Sequence, residues 1–157
     1  MAQKRIILIL FIGFCSFRAV SQNVHLIDSL RGKLKGAEGK ARLEVLNDLA
    51  WEYRSAYPDS TILYGQQAFE LGKKLNLTIG LAEPLNFIGV AYNYKGDRIK
   101  SYEYYDLALK LSKQHGDSVQ TAYSNNNLGR LFFEQGVLGR AYDYFIQALA
   151  LFENIND

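Results

Sequence analysis

Little in this sequence would interrupt a helix or hold a metal ion. Its 157 residues include two prolines, Pro58 and Pro84, so long helices can run between them. It has two histidines, His25 and His115, and one cysteine, Cys15. That supply excludes a disulfide framework and a cysteine-based zinc site. No nucleophile motif, phosphate loop or metal-ligand spacing occurs, and the carboxylates are scattered over faces expected to be solvated. An enzyme, a cofactor, a bound metal and a small-molecule substrate are therefore not expected.

Long apolar runs are scarce too. The single one, residues 6–17, follows Lys4 and Arg5 and precedes the small-x-small triplet Ala19-Val20-Ser21. That is the layout of a secretory signal peptide over residues 1–21, cut after Ser21. A run of about a dozen residues is short for a bilayer span. Arg18, between the run and the cut, keeps an uncleaved N-terminal anchor as the alternative. Phe14 argues against a lipid anchor on Cys15, where a small residue would be expected to precede the cysteine. Export, to the periplasm or beyond, is the expectation. Removal of Lys4, Arg5 and Arg18 takes the net charge from +2 to −1. The basic balance thus belongs to the leader and gives no support to a nucleic-acid partner.

What the chain does have is aromatic and apolar mass. Eleven tyrosines, nine phenylalanines and a 48% hydrophobic content suffice for a buried core and do not fit disorder. They recur with a period of 40. Tyr64, Tyr104 and Tyr144 are so spaced, as are Ala68, Ala108 and Ala148, and Leu71, Leu111 and Leu151. Gly89 pairs with Gly129, Gly96 with Gly136 and Tyr102 with Tyr142. The earliest unit slips by one residue: Leu46, Leu49, Ala50 and Tyr53 match Leu85, Ile88, Gly89 and Tyr92 at an offset of 39. The missing residue falls in the turn around Pro58-Asp59-Ser60.

Each unit reads as two helices, because its apolar residues step by three and four. Gly96 followed by Asp97 is helix-stop and helix-start chemistry. The expected helices run over about 41–56, 58–75, 79–95, 98–115, 118–135 and 138–153, after a leading helix at about 23–35 carrying Leu26, Leu30 and Leu34 on one face.

These units resemble the tetratricopeptide repeat. The last supplies Leu128-Gly129, Phe132, Ala141, Phe145 and Ala148; the middle one Ile88-Gly89, Tyr92, Ser101, Tyr105 and Ala108; the first, more loosely, Leu49-Ala50, Tyr53, Thr61, Gly65 and Ala68. The resemblance implies an all-α, right-handed α-solenoid of three helix-turn-helix units. Residues 22–40 form the leading helix and linker, and the units cover 41–77, 78–117 and 118–157. Gly89 and Gly129, facing Ala108 and Ala148, are expected to let the paired helices cross closely.

The resemblance further implies a concave groove lined by the first helix of each unit, and a non-catalytic module that binds a peptide or partner protein there. The groove positions are Asn47, Asp48, Trp51 and Arg54 in the first unit. They are Glu83, Asn86, Val90, Asn93 and Tyr94 in the second, and Tyr123, Asn126, Asn127, Arg130, Phe133 and Glu134 in the third. Asn47, Asn86 and Asn126 hold equivalent places. The run Asn125-Asn126-Asn127 needs a reason, since each asparagine inside a helix costs roughly 0.5–0.7 kcal/mol relative to alanine. An amide offers both donors and an acceptor, and so could pair with an extended peptide backbone whatever its side chains. It could equally bond a neighbouring helix and fix the angle between units. Asn125 is assigned to that second role, and both roles stay open for Asn126 and Asn127. Groove charges of both signs, Glu83 and Glu134 with Arg54 and Arg130, do not suit the clamping of a terminal carboxylate.

Two readings differ in class: a freestanding exported scaffold, and the N-terminal sensory part of an envelope histidine kinase or transcriptional regulator, whose order of parts the chain resembles. In either, the last helix keeps large apolar residues (Tyr142, Phe145, Ile146, Leu149, Leu151, Phe152) on more than one face. Its outer side is expected to self-associate or to meet further repeats.

Overall fold

Leucines at three- and four-residue spacing fold the chain into helices throughout the part that the computed structural model describes, residues 24–156. The segment expected to be a signal peptide lies outside those residues. The chain divides into two units at residue 36. The first contributes one helix, α1, over residues 24–34. The second holds six: α2 (Gly39–Tyr53), α3 (Pro58–Lys74), α4 (Glu83–Tyr94), α5 (Arg98–His115), α6 (Ser118–Glu134) and α7 (Leu138–Asn156). There is no strand among the described residues. Each helix of the second unit packs on the next, and α4 also packs on α2 and on α6. The result is an all-α solenoid of three helix pairs, whose first helices form one continuous layer.

The helix ends follow a rule finer than the 40-residue repeat. Asn76, Gly96, Gly116 and Gly136 all have positive φ, at 52°, 77°, 69° and 77°. Each closes a helix with the same backbone bond: Leu77 N–H to Gly72 O at 3.1 Å, and Asp97 to Tyr92, Asp117 to Ser112 and Val137 to Phe132, each at 2.9 Å. The stop recurs every 20 residues, so two turns of equal build make one repeat. The exception is the turn after α2, which closes through Tyr57 N–H to Tyr53 O at 2.8 Å and has no left-handed residue. It is the turn that lacks one residue in the sequence.

Two helix limits fall short of expectation by three or more residues, for local reasons. α2 ends at Tyr53 rather than near 56, because this tight turn begins at once. α4 starts at Glu83 rather than near 79. Gly80 is left-handed (φ 80°) and donates its N–H to Asp117 Oδ2 at 2.7 Å, so the chain turns there, and Pro84 then opens the helix.

The close approach inside the second and third pairs is made by a glycine and an aromatic ring, not by glycine and alanine. A Cβ on Gly89 would lie 2.5 Å from the Tyr105 ring, and one on Gly129 2.7 Å from the Phe145 ring. Stacked rings seal each pair one turn further on: Tyr53 on Tyr64 at 5.7 Å, Tyr92 on Tyr104 at 5.4 Å and Phe132 on Tyr144 at 5.6 Å.

The outer face of α7 has no such cover. Leu138, Tyr142, Ile146 and Leu149 form one exposed stripe. Leu149 is 52% exposed, whereas Leu109, its equivalent on α5, is 7% exposed beneath Leu128 and Leu131 of α6.

Candidate functional site

The layer formed by α2, α4 and α6 lines a groove of about 480 Å³. Its wall contains Asn47, Trp51, Arg54, Asn86, Tyr94, Tyr123, Asn126, Asn127 and Arg130, all placed in the groove by the repeat register. Asn93 and Phe133 do not line it. Asn93 instead donates to Glu134 Oε2 at 3.0 Å across α4 and α6, and Phe133 is exposed away from the lining. The register reading omits two lining residues, Phe87 and Gln120. Phe87 is equivalent to Asp48 and Asn127, so the repeat itself points to it. The place equivalent to Gln120 is Gly80, in a turn, so no repeat partner points to Gln120.

The asparagines divide by role. Asn86 is buried and fully bonded. Its Nδ2 donates to Gln120 Oε1 at 3.2 Å and Ser124 Oγ at 3.0 Å, and its Oδ1 accepts from Ser124 Oγ at 3.1 Å and Asn127 Nδ2 at 3.4 Å. Both donor hydrogens and both acceptor sites are engaged, so Asn86 is a strut between α4 and α6 with nothing left for a ligand. Asn47 plays a similar part between α2 and α4, donating to Glu83 Oε2 at 2.8 Å. Asn125 is buried, as an inter-helix role requires, yet its Oδ1 accepts no hydrogen bond. Asn127 touches Asn86 at the edge of the network. Asn126 is exposed in the groove and its amide has no partner.

Apolar surface lies beside these amides. Trp51 (46% exposed) sits 5.6 Å from Phe87, and Tyr94 and Tyr123 are also exposed. The Arg54 guanidinium covers the Trp51 ring at 3.4 Å. Burial pushes the Glu83 carboxyl above its ordinary value; neighbouring Asp48 and Asp117 add to the rise, while the Asn47 hydrogen bond opposes it. Burial likewise raises the phenol of Tyr105, with the Arg130 guanidinium pulling the other way. No group of histidine, cysteine or carboxylate side chains able to hold a metal occurs among the described residues, and no described helix is long and apolar enough to cross a membrane.

Comparison with known proteins bears on this geometry. The family described as "Tetratricopeptide repeat" matches residues 80–154. The crystal structure of the TPR domain of Arabidopsis FLU superposes with a TM-score of 0.64 at 17% identity, covering 74% of this chain and 99% of that one. No curated protein matches the sequence.

Proposed function

Because the chain is a tetratricopeptide-repeat protein, built on a fold of protein–protein interaction modules, we propose that it binds an extended peptide segment of a partner protein in the groove of α2, α4 and α6. The observation that carries this reading is the contrast between Asn86 and Asn126. One amide is consumed in holding two helices together. Its equivalent one unit on, beside exposed Tyr123, has every hydrogen-bonding group free. A free amide pairs with a peptide backbone, and the aromatic wall takes the side chains.

The test is selection of random dodecapeptides displayed on phage against the whole chain, followed by the Asn126→Arg variant. The arginine puts bulk into the groove at an exposed position and should not lower the melting temperature. Selected peptides should lose at least tenfold in affinity for the variant. Equal binding to both would refute the groove as the site.

The exposed stripe on α7 supports a second proposal, self-association of chains through Leu138, Tyr142, Ile146 and Leu149. Leu109, the equivalent of Leu149 on α5, is covered by a helix within the same molecule. Export rests on the sequence of residues 1–21 alone and is proposed on that basis.

A further inference from the structure

The two ends of the groove differ in the state of their charges. Toward the C-terminal ends of the first helices the cations are occupied. Arg54 lies over Trp51 and donates to Trp51 O at 2.5 Å, and Arg130 faces Glu134 at 3.9 Å. Toward the other end the acids are not neutralised. Neither Asp48 nor Glu83 has an ion pair among the described residues. The charged groups that act on Glu83 are Asp48 from α2 and Asp117 from the turn before α6, both acids. Asp117 is already engaged, accepting from the backbone N–H groups of Gly80 and Gln120. Glu83 has one side-chain donor, Asn47.

Asn47 supplies an independent sign. It is 9% exposed in the groove wall, and while its Nδ2 serves Glu83, its Oδ1 is buried with no donor at all. A buried acceptor without a donor is costly and uncommon in a native fold. Asp48, the second oxygen of Glu83 and the closed-off Oδ1 of Asn47 are thus acceptors lacking donors along one stretch of wall. No group of three or more histidine, cysteine or carboxylate side chains able to hold a metal occurs among the described residues.

We propose that this end of the groove is a subsite for the guanidinium of an arginine in the bound peptide, a deepening that rests on the groove reading above. A guanidinium carries five N–H donors and no acceptor, in a planar fork that matches carboxylates. It can meet Asp48 and Glu83 together, and a turn of the Asn47 amide would open its Oδ1 to the same group. Half-buried Phe87, in the same wall, offers apolar surface for the methylene stem.

The peptides selected on the whole chain serve as the probe. They should share an arginine, and its replacement by glutamine should weaken binding at least tenfold. In the Asp48→Asn/Glu83→Gln double variant that difference should fall below twofold. Asp48→Asn alone, at an exposed position, gives the same comparison if the double variant folds poorly. Three results would overturn the subsite while leaving the groove reading standing: selected peptides without a common basic residue, a lysine that serves as well as the arginine, or a tenfold difference that persists in both variants. If no peptide is selected at all, the groove reading and the subsite fall together.

Discussion

Asn86 and Ser124 hydrogen-bond each other twice across the seam between α4 and α6, Nδ2 to Oγ at 3.0 Å and Oγ to Oδ1 at 3.1 Å. The pair is buried, so removing one partner strands the other. Asn86→Ala should lower stability by about 1–3 kcal/mol. Asn126→Ala removes an amide with no partner and should raise stability by roughly 0.5 kcal/mol through helix propensity. Thermal melts of the two variants check this, and equal losses would make Asn126 a structural residue as well.

Gly129 and Gly136 make a second contrast. Leucine at Gly129 would drive into the Phe145 ring, where even a Cβ would come within 2.7 Å. Overpacking of this kind costs about 1–3 kcal/mol, and more where backbone must shift. Gly136 has open space around it but a φ of 77°, so Gly136→Ala should cost only the left-handed strain, about 1 kcal/mol. Denaturant unfolding should rank Gly129→Leu well below Gly136→Ala.

Glu83 gives a pH dependence. Its pKa in the folded chain is raised above the ordinary 4.5, chiefly by burial. The folded state therefore holds this proton more tightly than the unfolded state does. The group's contribution to stability declines as pH rises from the ordinary value through the folded one, and the penalty remains at neutral pH. Glu83→Gln keeps an acceptor for Asn47 and removes the charge. It should raise the melting temperature at pH 7 and make no difference below pH ~4. A variant less stable than the parent at pH 7 would show that the ionised carboxylate is favoured. If Glu83 binds a cationic ligand, its stability cost without ligand is the expected companion of that role.

The exposed stripe on α7 makes a prediction for solution behaviour. Sedimentation of residues 22–157 should show reversible self-association at micromolar concentration, and Leu149→Glu should abolish it without lowering stability. A parent chain that stays monomeric over a hundredfold range of concentration would refute pairing through this face.

Much of the fold was legible because its cause is periodic. Tyr64, Tyr104 and Tyr144 repeat because each caps the same ring stack, and the slip in the first unit marks the one turn between α2 and α7 built without a left-handed residue. The start of α4 was not legible, since it depends on Asp117, 37 residues away, accepting the Gly80 N–H. Register placed most of the groove wall but could not separate Asn86 from Asn126. Equivalent places on successive helices have different neighbours: Asn86 has Ser124 and Gln120 beyond it, whereas Asn126 has no further helix to bond among the described residues. Asn93 reads as a groove residue by the same register, and Glu134 draws it elsewhere.

The most direct test uses Trp51, the single tryptophan of the chain and part of the groove wall. Its emission, excited apart from the tyrosines, should change saturably as a selected peptide is added to the whole chain. The titration should give the same affinity as an independent measurement such as calorimetry. In Asn126→Arg the change should vanish along with binding. A peptide that binds by calorimetry, leaves Trp51 emission unaltered and binds Asn126→Arg equally well would place recognition outside the groove and contradict the account.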